Sequence, residues 1–234
     1  APAANPKVAM VSMTGSVGAG EKIMAAAAKN ITKVCLELGG KAPAIVMNDA
    51  DLELAVKAIV DSRVINTGQV CNCAERLYVH ESIVDKFTEK IIAVMKATKY
   101  GEPLKEPDIE MGPLVSAQQR EQVEAAVKRA VEQGAELVLG GKRPADRAKG
   151  FYYEPTVLVN CRQSMDIIRK ETFGPVLPIC TFKDLDEAIE LANDCEYGLT
   201  SSIYTQNLDV AMRACREIKF GETYINRENF EAMQ

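Results

Sequence analysis

The stretch PAIVMNDADLELAVKAIVDSRVINTGQVCNCAERLYVH, Pro43 to His80, decides the fold. Pro43 to Met47 is a short apolar run that predicts a buried strand. Asp49-Ala50-Asp51 caps a helix, and Leu52, Val56, Ile59 and Val60 then fall on one helical face. That helix runs toward Ile65 and delivers the chain to Gly68, after which Arg76 to His80 is a second strand. Strand, helix and strand in this order make the repeating unit of a parallel sheet.

The same alternation extends in both directions. Upstream, Lys7 to Met13 predicts a strand, Glu21 to Lys29 a helix and Ile31 to Leu38 a second buried strand. Downstream, helices over Glu81 to Lys96, Gln118 to Gln133, Leu185 to Asn193 and Leu208 to Ile218 alternate with strands over Glu136 to Leu139, Tyr153 to Val159, Pro175 to Phe182, Ser201 to Tyr204 and Glu222 to Ile225. The fold class is α/β, a mostly parallel sheet with helices on both faces. A boundary falls at Gly39-Gly40. Residues 1–40 hold only two strands and one helix, too little for an independent domain, and read as the tail of a missing one; residues 41–234 form the main domain.

Bulk properties narrow the function. With 234 residues, 47% of them hydrophobic, the chain has ample material for a core. A net charge of -5 without a basic stripe argues against nucleic acid as a partner. Every apolar run falls short of the ~18 residues of a membrane span, and the start lacks the order of a signal peptide, so a cytoplasmic protein is expected. Seven scattered cysteines fit a reducing compartment, and Cys71-Asn72-Cys73 is too tight for the usual paired-cysteine metal site; no metal is expected.

Cys71, three residues after Gly68, is the first chemical candidate, because a cysteine acts as nucleophile when backbone N–H groups in a turn favour its thiolate. The bland alternative is a small buried hydrophobe, and Cys73 is the weaker rival. The single histidine, His80, stands at a strand end too far from Cys71 for a Cys-His pair and is read as a surface residue, so water activation falls to a carboxylate. Glu37, ending an apolar run before Leu38-Gly39-Gly40, sits at the carboxyl end of a parallel strand; its alternative is an acid opening a loop. Gly15 and Ser16, between a strand and a helix, suit a diphosphate, or Ser16 is a plain helix cap. Glu171 can accept ribose hydroxyls and Phe173 can contact a flat ring, or the two mark a strand-entry turn.

With those residues in place the chain resembles the aldehyde dehydrogenases. MTGS at Met13 to Ser16, LELGGK at Leu36 to Lys41, NTGQVC at Asn66 to Cys71, ETFGPV at Glu171 to Val176 and YGLTSSIYT at Tyr197 to Thr205 follow the family's order. The run Phe220 to Gln234, ending NRENFEAMQ, and the run Cys71 to Arg76 look most like the branch acting on lactaldehyde and glycolaldehyde. The resemblance implies NAD-dependent oxidation of a small hydroxyaldehyde to the acid, with Cys71 as nucleophile and Glu37 as the base that hydrolyses a thioester. It also implies that Gly15, Ser16, Glu171 and Phe173 bind NAD, with NADP as the alternative cofactor, and that Asn72 and Glu231 bind substrate. The alternatives are a semialdehyde or NADP-dependent aldehyde dehydrogenase, or a catalytically retired binding protein of the same fold. The resemblance further implies that residues 1–40 are the end of an NAD-binding domain and that the chain is an inactive or weakly active fragment, incomplete at its C-terminus. The full-length form is expected to be a homo-oligomer, dimer or tetramer.

Overall fold

The computed structural model describes residues 2–229, and Glu231 lies outside the described residues. The chain divides into two compact units, Ala1–Gly39 and Gly40–Gln234.

The first unit pairs β1 (Met10–Thr14) in parallel with β2 (Lys33–Glu37) around α1 (Val17–Ala27). The helix starts four residues earlier than Glu21 because the Ser16 hydroxyl caps it, accepting the Ala19 N–H at 3.3 Å. A 3-10 turn, Ala28–Asn30, then leads to Ile31 in a left-handed conformation, fully out in solvent, so the second strand begins at Lys33 and not at Ile31. This strand is not the buried one expected. Its residues alternate exposed and half-buried, Glu37 among the exposed, since a two-stranded sheet with one helix covers a single face.

The second unit holds a seven-stranded sheet. In chain order it contains β3 (Ala42–Val46), α2 (Leu52–Val64), β4 (Ala74–His80), α3 (Val84–Ala97), α4 (Ala117–Glu132), β5 (Glu136–Leu139), β6 (Thr156–Val159), α5 (Asp166–Arg169), β7 (Val176–Phe182), α6 (Leu185–Asn193), β8 (Thr200–Tyr204), α7 (Leu208–Glu217) and β9 (Glu222–Ile225). Across the sheet the strands run β5-β6-β7-β4-β3-β8-β9, all neighbours parallel except the β5–β6 pair at one edge. The strand expected from Tyr153 begins only at Thr156, because Pro155 has no N–H for a ladder. α3 starts at Val84, after a turn over Glu81–Ile83, and four-residue α5 is too short to show a period in sequence.

Alternation along the central strands sorts the core into two layers. Ala44, Val46, Leu77, Val79, Leu177 and Ile179 face Val56, Ile59 and Val60 of α2 and Phe87 and Ile91 of α3. Ile45, Tyr78, Cys180, Phe182 and Ile203 face the other way, against Val123 and Val127 of α4 and Ala188 and Ile189 of α6. β3 and β8 are buried at every position, as strands covered on both faces must be. Ile59→Ala, emptying a side chain with no exposure at the centre of the α2 layer, is expected to destabilise the fold by about 2–5 kcal/mol in denaturant titration. Leu104→Ala, at a residue 96% exposed, is expected to change it by less than about 0.5 kcal/mol.

Candidate active site

The turn that carries Cys71 is built from strained backbone. Asn66, Thr67 and Gly68 take three consecutive positive φ values, 44°, 60° and 72°. A β-branched residue such as Thr67 is a genuine outlier there, and the conformation persists only where its surroundings over-determine it. They do so. Asn66 and Gln69 exchange side-chain hydrogen bonds with each other's carbonyls at 3.1 and 2.9 Å, Thr67 Oγ1 donates to the Gly112 carbonyl at 2.9 Å, and Arg63 Nη2 donates to the Gly68 carbonyl at 2.5 Å. The chain emerges at Cys71, half-buried in a turn that is not helical.

Two glycines let other segments close on this turn. A Cβ on Gly40 would stand 1.9 Å from the Cys71 carbonyl oxygen, and one on Gly68 would stand 2.3 Å from the Gly174 carbonyl oxygen. Neither obstacle is the end of a flexible side chain, so both contacts are available to glycine alone. Gly40 also donates its N–H to Glu171 Oε1 at 2.8 Å. Burial raises the Glu171 carboxyl pKa, and the Gly40 N–H opposes that rise.

Beneath these loops lies a group of charges that the sequence reading did not single out. Glu75, inside β4, is 2% exposed; its Oε2 meets Lys41 Nζ at 2.6 Å and its Oε1 meets Arg63 Nη1 at 3.2 Å. The same carboxylate accepts the backbone N–H groups of Thr172 and Phe173, each at 3.0 Å. Burial alone would push this carboxyl up, but the Lys41 ammonium and then the Arg63 guanidinium outweigh it and hold the pKa at about 2. From the other side Gln119 Nε2 donates to the carbonyls of Thr172 and Phe173, at 3.3 and 2.9 Å. Phe173 is thereby gripped in a left-handed conformation, φ 51°, with its side chain half-exposed.

Asn72 follows the nucleophile candidate; its carbonyl accepts the Thr200 hydroxyl at 2.8 Å, while its amide oxygen is buried without a hydrogen-bond partner. Asn229, fully buried, donates to the same Thr200 hydroxyl at 3.3 Å and also keeps an unpartnered amide oxygen. Sequence reasoning stopped at Glu231, two residues further on. Cys73 is buried, donates to the Val70 carbonyl at 2.9 Å and has its thiol pushed up to about 11 by burial, which makes it a poor nucleophile. His80 closes β4 and meets Phe182 edge-on. In the first unit, Glu37 ends β2, its carbonyl accepting the Gly15 N–H at 2.9 Å, and Ser16 opens α1. Thus the structure brings Cys71, Asn72, Glu171 and Phe173 into one unit, and places Glu37, Gly15 and Ser16 in the other.

A signal for the charge group was present. Glu75-Arg76 interrupts an otherwise apolar strand, and charges inside a buried strand are retained only where they are paired. Arg76 is held likewise, donating to the carbonyls of Lys41, Leu191 and Ala192 and to the Tyr78 hydroxyl.

Comparisons with known proteins agree on one family. A sequence model described as the aldehyde dehydrogenase family matches residues 2–234. Lactaldehyde dehydrogenase of Escherichia coli (strain K12) is 68% identical over 232 residues, covering 99% of this chain and 48% of the relative. The crystal structure of that enzyme superposes with a TM-score of 0.96 over 99% of this chain and 48% of its own. D-glyceraldehyde dehydrogenase (NADP(+)) of Picrophilus torridus is 42% identical, covering 97% of this chain and 46% of the relative. Betaine aldehyde dehydrogenase from Staphylococcus aureus in complex with NAD+ gives a TM-score of 0.95 at 39% identity, covering 98% of this chain and 46% of that one. The chain spans about half the length of the curated relatives it matches.

Two outcomes are expected of the geometry. Gly40→Ala is expected to lower the melting temperature and suppress alkylation of Cys71, since the added methyl displaces the Cys71 peptide. Glu75, with its pKa lowered from 4.5, contributes stability above pH 4.5 that is lost as pH falls toward 2. In acid-unfolding curves the Glu75→Gln variant is therefore expected to lose part of the slope within that window.

Proposed function

The chain belongs to the aldehyde dehydrogenase family, and from that premise we propose that it carries the nucleophile of an NAD-dependent oxidation of a small hydroxyaldehyde, such as lactaldehyde or glycolaldehyde, to the carboxylic acid. The observation that carries this reading is the strained turn at Asn66–Gly68, which presents Cys71 beside two half-exposed groups, Glu171, held through its carboxylate by the Gly40 N–H, and Phe173, held through its backbone N–H by Glu75.

The thiolate of Cys71 adds to the aldehyde carbon, forming a C–S bond and an oxyanion that the Cys71 backbone N–H stabilises. A nicotinamide cofactor, when bound, supplies the acceptor for the hydride lost from that carbon. The acyl group is left on Cys71 as a thioester. Glu37 takes a proton from water, the hydroxide attacks the acyl carbon, and the C–S bond breaks to release the acid and restore the thiolate.

The residues fit such a cofactor in kind. A half-buried carboxylate anchored through one oxygen suits ribose hydroxyls at Glu171, and a half-exposed phenyl ring suits a flat heterocycle at Phe173. The start of α1, with Gly15 half-buried and Ser16 exposed, suits a diphosphate. On this reading the first unit is the end of the cofactor domain. NADP is the alternative, favoured by the name of the Picrophilus relative.

Substrate choice rests on the buried, unpartnered amide oxygen of Asn72 beside the nucleophile. A buried acceptor left without a donor costs about 1–3 kcal/mol, and a substrate hydroxyl supplies that donor where an alkyl chain does not. Glu231 is assigned the same role from the resemblance alone. The reading includes a cytoplasmic, homo-oligomeric full-length form; no helix among the described residues is long and apolar enough to cross a membrane.

In the natural full-length product, Cys71→Ser is expected to lower kcat/KM on the order of 10³-fold or more. Glu37→Gln is expected to keep a stoichiometric burst of NADH while the steady state slows. Equal loss of burst and steady state in Glu37→Gln would reject the base role. Asn72→Leu is expected to reduce the preference for glycolaldehyde over hexanal roughly tenfold or more; an unchanged ratio rejects the hydroxyaldehyde reading.

A further inference from the structure

Glu75 takes no part in the chemistry proposed for Cys71, yet its carboxylate is the point at which the loops of the candidate site meet. One oxygen holds Lys41 and the Thr172 N–H; the other holds Arg63 and the Phe173 N–H. Lys41 follows Gly40, whose backbone touches both Cys71 and Glu171. Arg63 reaches past Glu75 to the carbonyls of Gly68 and Ala74, on either side of Cys71. Four connections thus run from one buried group to the nucleophile turn and to the 171–173 segment.

Stability alone does not account for this arrangement. Three charged side chains, each 2% exposed or less, are expensive to desolvate, and well-packed apolar residues of similar size commonly serve a core as well or better. What an apolar residue cannot do is accept two consecutive backbone N–H groups. Phe173 sits in a left-handed conformation unfavourable to its side chain, and Glu75 on its N–H side with Gln119 on its carbonyl side are what fix it there.

We infer that Glu75 is a positioning residue for the reaction: its carboxylate locks Glu171 and Phe173, the proposed cofactor contacts, in register with the Cys71 turn. This rests on the cofactor reading of the 171–173 segment. Neutralising Glu75 strands Lys41 and Arg63 without an anion and leaves one carbonyl-type oxygen for two N–H donors, so the 171–173 segment loses its fixed conformation.

The test is made in the natural full-length protein with two variants. The double substitution Glu75→Gln with Lys41→Met removes the stranded ammonium; Glu75→Asp keeps the charge and withdraws the carboxylate by one methylene. NADH binding, read by fluorescence without turnover, is expected to weaken at least tenfold in both. Mere destabilisation lowers the amount of active protein without moving the dissociation constant of the folded fraction. An unchanged dissociation constant in soluble, folded variants overturns the inference, even if the melting temperature falls. Failure of both variants to yield folded protein also overturns it, by making Glu75 a folding determinant. Failure of the wild-type protein to bind NADH refutes instead the cofactor reading.

Discussion

The ionised carboxylate of Glu75, buried between Lys41 and Arg63, is the constraint on which the candidate site depends. A carboxylate cannot remain charged at such depth without partners, and the partners available come from different parts of the chain: the entry to β3, the last turn of α2 and the loop before β7. Satisfying the charge therefore fixes three segments at once. The glycines complete the closure, because the distances at Gly40 and Gly68 leave no room for a Cβ. The strained Asn66–Gly68 backbone and the left-handed Phe173 are held within this frame, and neither conformation is one that its residues choose alone.

The position of the frame in the fold also matters. In the larger unit the site residues lie before β4, before β7 and at the start of β8, at the amino ends of parallel strands. Ligand sites of open α/β sheets usually gather at the carboxyl ends, where Glu37 stands on β2 in the smaller unit. The charge group supplies a reason for the exception: it anchors the strand-entry loops, which are the parts of the sheet that the backbone ladder leaves unspecified.

Most of the fold was legible from periodicity. Glu136–Leu139, Leu185–Asn193 and Glu222–Ile225 fall where the apolar pattern places them, because each is short, regular and bounded by turn residues. Boundaries failed where a local bond competes with the pattern: the Ser16 cap lengthens α1, and Pro155 delays β6. The expected burial of the strand ending at Glu37 failed for another reason, since apolar composition does not reveal that only one face of a two-stranded sheet is covered.

Within the site, motif residues such as Cys71, Glu171 and Phe173 could be picked out because their chemistry is local. Glu75, Gln119 and Asn229 could not, because their importance lies in partners up to 98 positions away, as in the bond from Phe173 to Glu75. Only the anomaly of Glu75-Arg76 within an apolar strand hinted at them.

Whether Cys71 is the group that bonds to substrate carbon is decided by trapping the adduct. The full-length protein would be mixed with glycolaldehyde and NAD, quenched in acid during turnover, digested with trypsin and sequenced by mass spectrometry over Val64 to Arg76. One acyl group is expected on Cys71 and none on Cys73, whose thiol is buried and pushed up to about 11. An acyl group on Cys73 or on another cysteine, or turnover with no adduct on Cys71, would contradict that role for Cys71.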